Sequence, residues 1–362
     1  MKIVQVTHHV FPCQGGIESF VLALSKNLQK RGHNVKIVCL DKCAGGKKLK
    51  AFENVREIPV HRIPFTDFKL YKFAPGVLEK VKGAQVVHVH NIGFFSDFLA
   101  WTKKEHGAKL VLNTHGGIEH SQSLKWLKKA YSKVLLEKSL KKFDAIICDS
   151  VDDFSRFKKI QNAQLIENAV ELETFLKLKG KKISGRMLFV GRLAPNKNLE
   201  QLMRVFARAA KNFPKAELRI AGEDWKGNEK KLKALAEKLD TNIVFLGKIS
   251  EKELEKEYAR AVFIVSASTH EGFGISIVEG MAAECIPLLS RIPSFERFVG
   301  KGRGECLDFE QSEKAVKELE KWLSKEEHGL EKKRAACRKF AKGFDWHKKI
   351  AEYESVYREV LK

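Results

Sequence analysis

Short apolar runs alternate with amphipathic stretches along the whole chain. Runs at residues 2–7, 35–40, 86–90, 109–114 and 145–149 predict one series of strands. Runs at 187–190, 217–221, 243–246, 263–265 and 286–290 predict a second. Between them, residues 19–30, 199–212 and 251–260 place apolar positions at helical intervals. The last segment, 346–361, does the same through Ile350, Tyr353, Val356, Tyr357 and Val360. Strands that are apolar throughout need cover on both faces, and crossover helices supply it. The alternation therefore predicts an α/β protein with parallel sheets. Two series predict two doubly wound, Rossmann-like domains, residues 1–167 and 168–345. The break falls near 168–185, where Gly180 and Gly185 punctuate a lysine-rich stretch.

At 362 residues and 44% hydrophobic composition the chain is large enough for two cores. No stretch nears the roughly 18 apolar residues of a membrane span. The chain opens directly on a strand pattern, without the features of a secretory leader. Its seven cysteines are odd in number and irregularly spaced, with no C-x-x-C pair. That argues against a disulfide framework and against a zinc site, and it suits a reducing cytoplasm. Cys39, Cys148 and Cys285 lie in or beside apolar runs and are expected as buried thiols.

The formal net charge of +22 is spread along the chain. Residues 1–175 hold 28 basic and 17 acidic side chains, and residues 176–362 hold 39 and 28. Such a surplus suits nucleic acid, an anionic membrane surface or an anionic small substrate. No helix-turn-helix, zinc finger or interleaved aromatic–basic strand supports nucleic acid. Residues 123–143 carry an apolar stripe through Leu124, Leu127, Tyr131, Val134 and Leu135, with Lys125, Lys128, Lys129, Lys133 and Lys142 largely elsewhere. Such a helix either lies on an anionic membrane or faces a sheet.

The strongest chemical signal is the run Glu271-Gly272-Phe273-Gly274-Ile275-Ser276-Ile277-Val278-Glu279, which follows an apolar strand. A carboxylate before a turn and another one turn into a helix can both face the crevice where open α/β sheets bind ligands. Carboxylates there accept sugar hydroxyls. Ser276-x-x-Glu279 is also a capping box, so Glu279 alone reads equally as a helix cap. A second cluster, Gly191-Arg192-Leu193-Ala194-Pro195-Asn196-Lys197-Asn198, offers two cations at a strand's carboxyl end and Asn198 as an N-cap. Arg192 and Lys197 can neutralise a diphosphate, or they are solvated loop cations. Gly15 and Gly16 stand between the first strand and its helix, where backbone N–H groups bind phosphate or glycine serves packing alone. The spacing is not G-x-G-x-x-G, which weakens a dinucleotide reading. His115 ends a strand. His88 and His90 share one strand face and lack a third metal ligand, so they read as core or crevice-edge histidines.

In this order the residues resemble a retaining glycosyltransferase of family 4, with the GT-B fold. The resemblance covers nearly the whole chain. It rests on Gly15-Gly16, Gly32-His33-Asn34-Val35, His88-Val89-His90, Thr114-His115-Gly116, Gly191-Arg192 with Lys197, the E-x7-E pair Glu271 and Glu279, and Phe344-Asp345-Trp346. It implies two Rossmann-like domains around a crevice, with residues 346–362 returning to the first. It implies transfer of a hexose from a UDP- or GDP-sugar to a glycan or lipid-linked acceptor, without a metal or other cofactor. Location in the cytoplasm, peripheral at the inner membrane face, fits that chemistry. Arg192, Lys197 and the Gly16 amide would hold the diphosphate. Glu271 and the backbone of Phe273, Gly274 and Ile275 would hold the sugar, and His115 one of its hydroxyls. Glu279 would take the ribose, and the backbone of Gly247, Lys248 and Ile249 the base. The alternative is a non-catalytic or regulatory nucleotide-sugar-binding protein on the same scaffold.

Three places depart from the family pattern. Glu167-Asn168-Ala169-Val170 replaces Pro-Asn-Gly-Val, Ala267-Ser268 replaces Pro-Ser, and Glu284 stands where glycine is common. These positions shape turns and packing, and they leave the proposed ligands in place.

Overall fold

A computed structural model describes residues 1–362 apart from 14, 44, 45, 47, 69, 70, 116–135 and 161. The chain divides into two compact units: Met1–Ala169 together with Trp346–Lys362, and Val170–Asp345.

The first unit contains β1 (Lys2–Val6), β2 (Asn34–Leu40), β3 (Phe52–Val55) and β4 (Ile58–Ile63), then a small hairpin of β5 (Thr66–Asp67) and β6 (Lys72–Phe73). After the hairpin come β7 (Val86–His90), β8 (Lys109–Asn113), β9 (Ala145–Cys148) and β10 (Ala163–Leu165). The main sheet runs β10-β9-β8-β7-β1-β2-β4-β3 and is parallel except at β3. Successive residues serve opposite faces: Val86 packs in one core and Val87 in the other. The expected strands are present to within a residue or two at their ends. Strands β3 and β4 lack the continuous apolar signature, because Glu53, His61 and Arg62 interrupt them.

The Trp346–Leu361 helix covers one face of this sheet. Trp346, Ile350, Tyr353, Val356 and Tyr357 are buried in one cluster with Phe20, Leu24 and Leu28 of the Gly16–Lys30 helix. Each such side chain contributes about 1.5–3 kcal/mol of burial. Glu354 adds an ion pair, its Oε2 accepting from Arg31 Nε at 2.8 Å while Oε1 faces His33 Nε2 at 2.6 Å.

The second unit holds β11 (Arg186–Val190), β12 (Glu217–Ala221), β13 (Ile243–Gly247), β14 (Phe263–Ser266), β15 (Ile286–Ser290) and β16 (Glu305–Leu307). Their order is β13-β12-β11-β14-β15-β16, with every pair parallel. The strands are central to a single core that also takes in the Leu199–Ala210 and Ile275–Ala282 helices.

Two expectations need revision. Cys13 and Cys43 form a disulfide. They are 30 residues apart, but they follow β1 and β2, neighbouring parallel strands, which brings their loops together. Cysteine spacing carries no trace of that proximity. Cys39, Cys148 and Cys285 are buried thiols, as expected. The amphipathic stretch 123–143 lies outside the described residues as far as 135. From there on, Leu136, Leu140 and Phe143 are buried in the core. Among the described residues no helix is long and apolar enough to cross a membrane.

Glu284 shows why glycine is common at its position. The Ile275–Ala282 helix closes with the Cys285 amide donating to the Gly280 carbonyl at 2.8 Å and the Glu284 amide to the Met281 carbonyl at 3.1 Å. That double closure requires a left-handed residue, and Glu284 has φ 66°. A side chain there costs about 1 kcal/mol relative to glycine. The Arg338 Nη1 to Glu284 Oε1 contact at 2.8 Å returns part of it. Glu284→Gly is therefore expected to raise stability by about 0.5–1 kcal/mol in urea unfolding. A loss of stability would show that the ion pair outweighs the backbone cost.

Candidate active site

In the second unit β11 lies between β12 and β14. The chain winds outward from β11 to β13, then returns to β14 and winds the other way. The carboxyl ends of β11 and β14 therefore flank the switch point, where open sheets take ligands. Arg192 and Lys197 sit on the loop that leaves β11, and Glu271 on the loop that leaves β14. Close backbone packing sets the first loop. A Cβ on Gly222, just past β12, would overlap the Gly191 carbonyl oxygen, so only glycine fits.

Polar contacts lace the two loops together. The Thr269 amide donates to the Asn196 carbonyl at 2.9 Å, and Asn196 Nδ2 reaches the His270 carbonyl at 3.3 Å. Beside them the Lys197 ammonium and the Glu271 carboxylate form an ion pair. Lys197 and Glu271 are thus brought together, half-buried, at the switch point. Arg192 is exposed, with its guanidinium 4.9 Å over the Trp225 ring. Lys248 extends to Glu223 Oε1 at 3.3 Å. Gly247 ends β13 with φ 65° and accepts the Gly222 amide at 2.9 Å. Asn198 does precede the Leu199–Ala210 helix, but it is left-handed and its side chain makes no cap bond.

The capping-box reading of Ser276 and Glu279 is corrected. The helix begins at Ile275 with Gly274 as its N-cap, φ 94°, so Ser276 is already inside the first turn. Glu279 Oε2 instead accepts from the Tyr258 hydroxyl at 2.8 Å, which leaves Oε1 for another donor. Burial raises the Glu279 carboxyl above its ordinary value of 4.5, and the Tyr258 bond acts in the opposite direction. Phe273 is a buried anchor. Its ring meets Phe344 at 5.5 Å, and Arg297 stacks on it at 4.7 Å. Gly272 and Ile275 on either side are exposed, while Gly274 is buried. A Cβ on Gly272 would meet no described atom within 4 Å, whereas Gly274 packs on Phe295. The glycine at 274 thus serves the left-handed cap and helix packing.

Gly16 and His115 belong to the first unit. Gly16 opens its helix behind the N-cap Gly15, and no described atom lies within 4 Å of where a Gly16 Cβ would be. The Glu18 carboxylate of the first turn folds back over Gly15, where a Cβ would overlap it. His115 follows β8 with a left-handed φ of 45°. Its Nδ1 lies 2.7 Å from Asp149 Oδ2, and its Nε2 lies 3.0 Å from His90 Nδ1 and 3.3 Å from Asn113 Nδ2. His88 and His90 are buried beneath the closing helix, and His88 Nδ1 lies 2.7 Å from the Tyr357 hydroxyl. Burial pulls His88 down to about 3 and His90 well below its usual range, so both are neutral at physiological pH. Among the described residues no cluster of three or more His, Cys, Asp or Glu could hold a metal ion.

Tyr258, Trp225, Thr269 and Asp149 touch candidate residues and went unnoticed in the sequence. Tyr258 had one available signal, a tyrosine near the end of a helix that leads into β14.

The Glu279 shift has a stability consequence. Its folded-state value is raised, so the group stabilises the fold fully below about 4.5, and that contribution is lost as pH rises through the folded value. Glu279→Gln keeps an acceptor for Tyr258 but removes the charge. In urea unfolding the variant is expected to match the wild type near pH 4 and to exceed it at pH 8. An equal difference at both pH values would contradict the assignment.

Comparison with known proteins follows the same division. Residues 14–174 match the Glycosyltransferase Family 4 profile, and residues 173–344 match Glycosyl transferases group 1. The chain is 32% identical to a GDP-mannose:cellobiosyl-diphosphopolyprenol alpha-mannosyltransferase of Xanthomonas oryzae pv. oryzae, over 100% of this chain and 97% of that protein. It is 28% identical to the protein of the same name from Komagataeibacter xylinus, over 100% and 94%. A phosphatidyl-myo-inositol mannosyltransferase of Mycobacterium tuberculosis is 25% identical over 83% and 81%. Among solved structures, a glycosyltransferase from Rickettsia africae superposes with a TM-score of 0.75 at 18% identity, covering 100% and 99%. Sucrose-phosphate synthase from Thermosynechococcus elongatus gives 0.74 at 16%, covering 99% of each chain. Hence the chain belongs to glycosyltransferase family 4, a GT-B hexosyltransferase that draws on a nucleotide-sugar donor.

Proposed function

We propose that this enzyme transfers mannose from GDP-mannose to a hydroxyl of a lipid-diphosphate-linked glycan, with retention of configuration. The observation that carries the reading is the meeting of Lys197 and Glu271 at the β11/β14 switch point. A cation and a sugar-binding carboxylate there match the two parts of a sugar nucleotide on either side of its scissile bond. Guanosine, mannose and the acceptor class come from the relatives' names and from the surplus of +22, which favours an anionic substrate.

In the reaction the bond from the sugar C1 to the diphosphate oxygen breaks and a bond from C1 to the acceptor oxygen forms. The acceptor's proton leaves with the departing diphosphate. Lys197 and Arg192 offset the charge that grows on that diphosphate, so the chemistry needs no divalent metal. Glu279 accepts a ribose hydroxyl on its unoccupied Oε1. Backbone at Gly247, Lys248 and Ile249 meets the base. Glu271 and the backbone of Phe273, Gly274 and Ile275 hold the sugar. The family resemblance adds the Gly16 amide for phosphate and His115 for a sugar hydroxyl. Work at the cytoplasmic membrane face fits a lipid-linked acceptor and a basic protein, and among the described residues no helix is long and apolar enough to span. The Cys13–Cys43 bridge is the feature that fits a reducing compartment least.

The test is transfer to a polyprenyl-diphosphate-linked disaccharide in the presence of EDTA, with UDP-, ADP- and GDP-hexoses in parallel. GDP-mannose is expected to be consumed, and NMR of the product to show an α-linkage. Glu271→Ala is expected to lower turnover by about 10²-fold or more. A β-linked product, preference for a UDP-sugar, or loss of activity on chelation would each overturn the corresponding part.

A further inference from the structure

His115 is held more tightly than a surface ligand needs. Its side chain is 5% exposed, and that of Asp149, which faces Nδ1, is 8% exposed. The second Asp149 oxygen, Oδ1, is buried with no hydrogen-bond partner among the described residues. A buried carboxylate that gives one oxygen to one imidazole nitrogen strongly favours a proton on that nitrogen.

We propose that Asp149 is a positioning residue for the transfer: it fixes the His115 proton on Nδ1, so that the neutral ring presents Nε2 as an acceptor. This rests on the reading that His115 meets a donor-sugar hydroxyl. The surrounding polar groups agree with that tautomer. Asn113 Nδ2, which the interaction with the Tyr353 hydroxyl keeps on the donor side, lies 3.3 Å from Nε2, and Asn113 Oδ1 has no partner among the described residues. His90 Nδ1 is 3.0 Å from the same nitrogen, and His90 Nε2 is 2.7 Å from the Gln5 amide oxygen. The Gln5 amide also interacts with the Tyr357 hydroxyl, which can accept from its nitrogen or donate to its oxygen. With the Gln5 amide turned over, its NH2 donates to His90 Nε2, His90 Nδ1–H donates to His115 Nε2, and His115 Nδ1–H donates to Asp149. All three links then run one way, with neutral rings and one anion at the end. A protonated His115 would also keep Nδ1–H on Asp149, but it would set two donors, Nε2–H and the Asn113 NH2, against each other. In the neutral ring a sugar hydroxyl can replace the long Asn113 contact and donate to Nε2. The device thus selects a sugar hydroxyl that donates at this point.

The test uses the full-length protein labelled with 15N-histidine. Long-range 1H–15N correlation reads the His115 tautomer directly, with His115→Gln as the assignment control. The wild type is expected to be Nδ1–H, and Asp149→Asn, whose amide can donate to Nδ1, to move the ring to Nε2–H. Turnover in Asp149→Asn is expected to fall roughly tenfold or more, with the donor KM little changed. Asp149→Asn combined with His115→Ala should lose no more than His115→Ala alone, and Asp149→Glu should recover part of the Nδ1–H signal. An unchanged tautomer in Asp149→Asn, or losses that multiply in the double variant, would overturn the proposal. Full turnover in His115→Ala would overturn the sugar-contact reading beneath it, and the tautomer spectra keep the two failures apart.

Discussion

The lacing of the loops after β11 and β14 is the constraint on which the second unit's chemistry depends. Parallel strands must be connected by crossovers, and the reversal of strand order at β11 leaves two loop ends side by side. On the other side of β11, Gly222 lets the end of β12 close on the Gly191 carbonyl and so places the loop after β11. Asn196 and Thr269 then tie the loops, which sets Lys197 against Glu271. The pair is half-buried, so it is screened less than a surface pair and costs some desolvation. An unliganded site arranged this way is already neutral. A donor that brings both a diphosphate and sugar hydroxyls can satisfy each partner in turn.

The same trade recurs in the polar interior. Glu279 is kept in a setting that raises its carboxyl, with one oxygen committed to Tyr258 and the other not. His88 and His90 are neutral in a core that would gain stability from apolar residues. Glu284 holds a left-handed turn that glycine would hold at lower cost. Glu279 has a proposed ligand to justify the expense, and His90 completes the chain that ends at Asp149. Glu284 has the Arg338 contact.

Much of the fold was legible because buried parallel strands are nearly pure apolar runs. Val86-Val87 and Ile286-Pro287-Leu288-Leu289 need no tertiary information to be read as strands. Strands β3 and β4 were not legible, since an edge strand and its neighbour carry Glu53, His61 and Arg62 without alternating cleanly. The three-residue strands β10 and β16 are too short for any periodicity. Within the site, Arg192, Lys197, Glu271 and Glu279 are legible as residues, but Glu279 reads equally as a helix cap and as a ligand for a hydroxyl. The structure removes the cap, because the helix starts at Ile275 and Tyr258, 21 residues earlier, takes one carboxylate oxygen. The Asp149–His115 contact spans 34 residues and the disulfide 30. Such pairs are set by which strands are neighbours, and a linear reading does not contain that order.

The central claim is that Glu271 serves the sugar while Lys197 serves the diphosphate, with each masking the other in the unliganded protein. Calorimetric titration of Glu271→Ala with GDP and with GDP-mannose tests it most directly. Removal of the carboxylate frees Lys197, so GDP should bind at least as tightly as to the wild type, while GDP-mannose binds roughly tenfold or more weakly through loss of the hydroxyl contacts. Equal weakening of both ligands would contradict the division and make Glu271 a structural partner of Lys197.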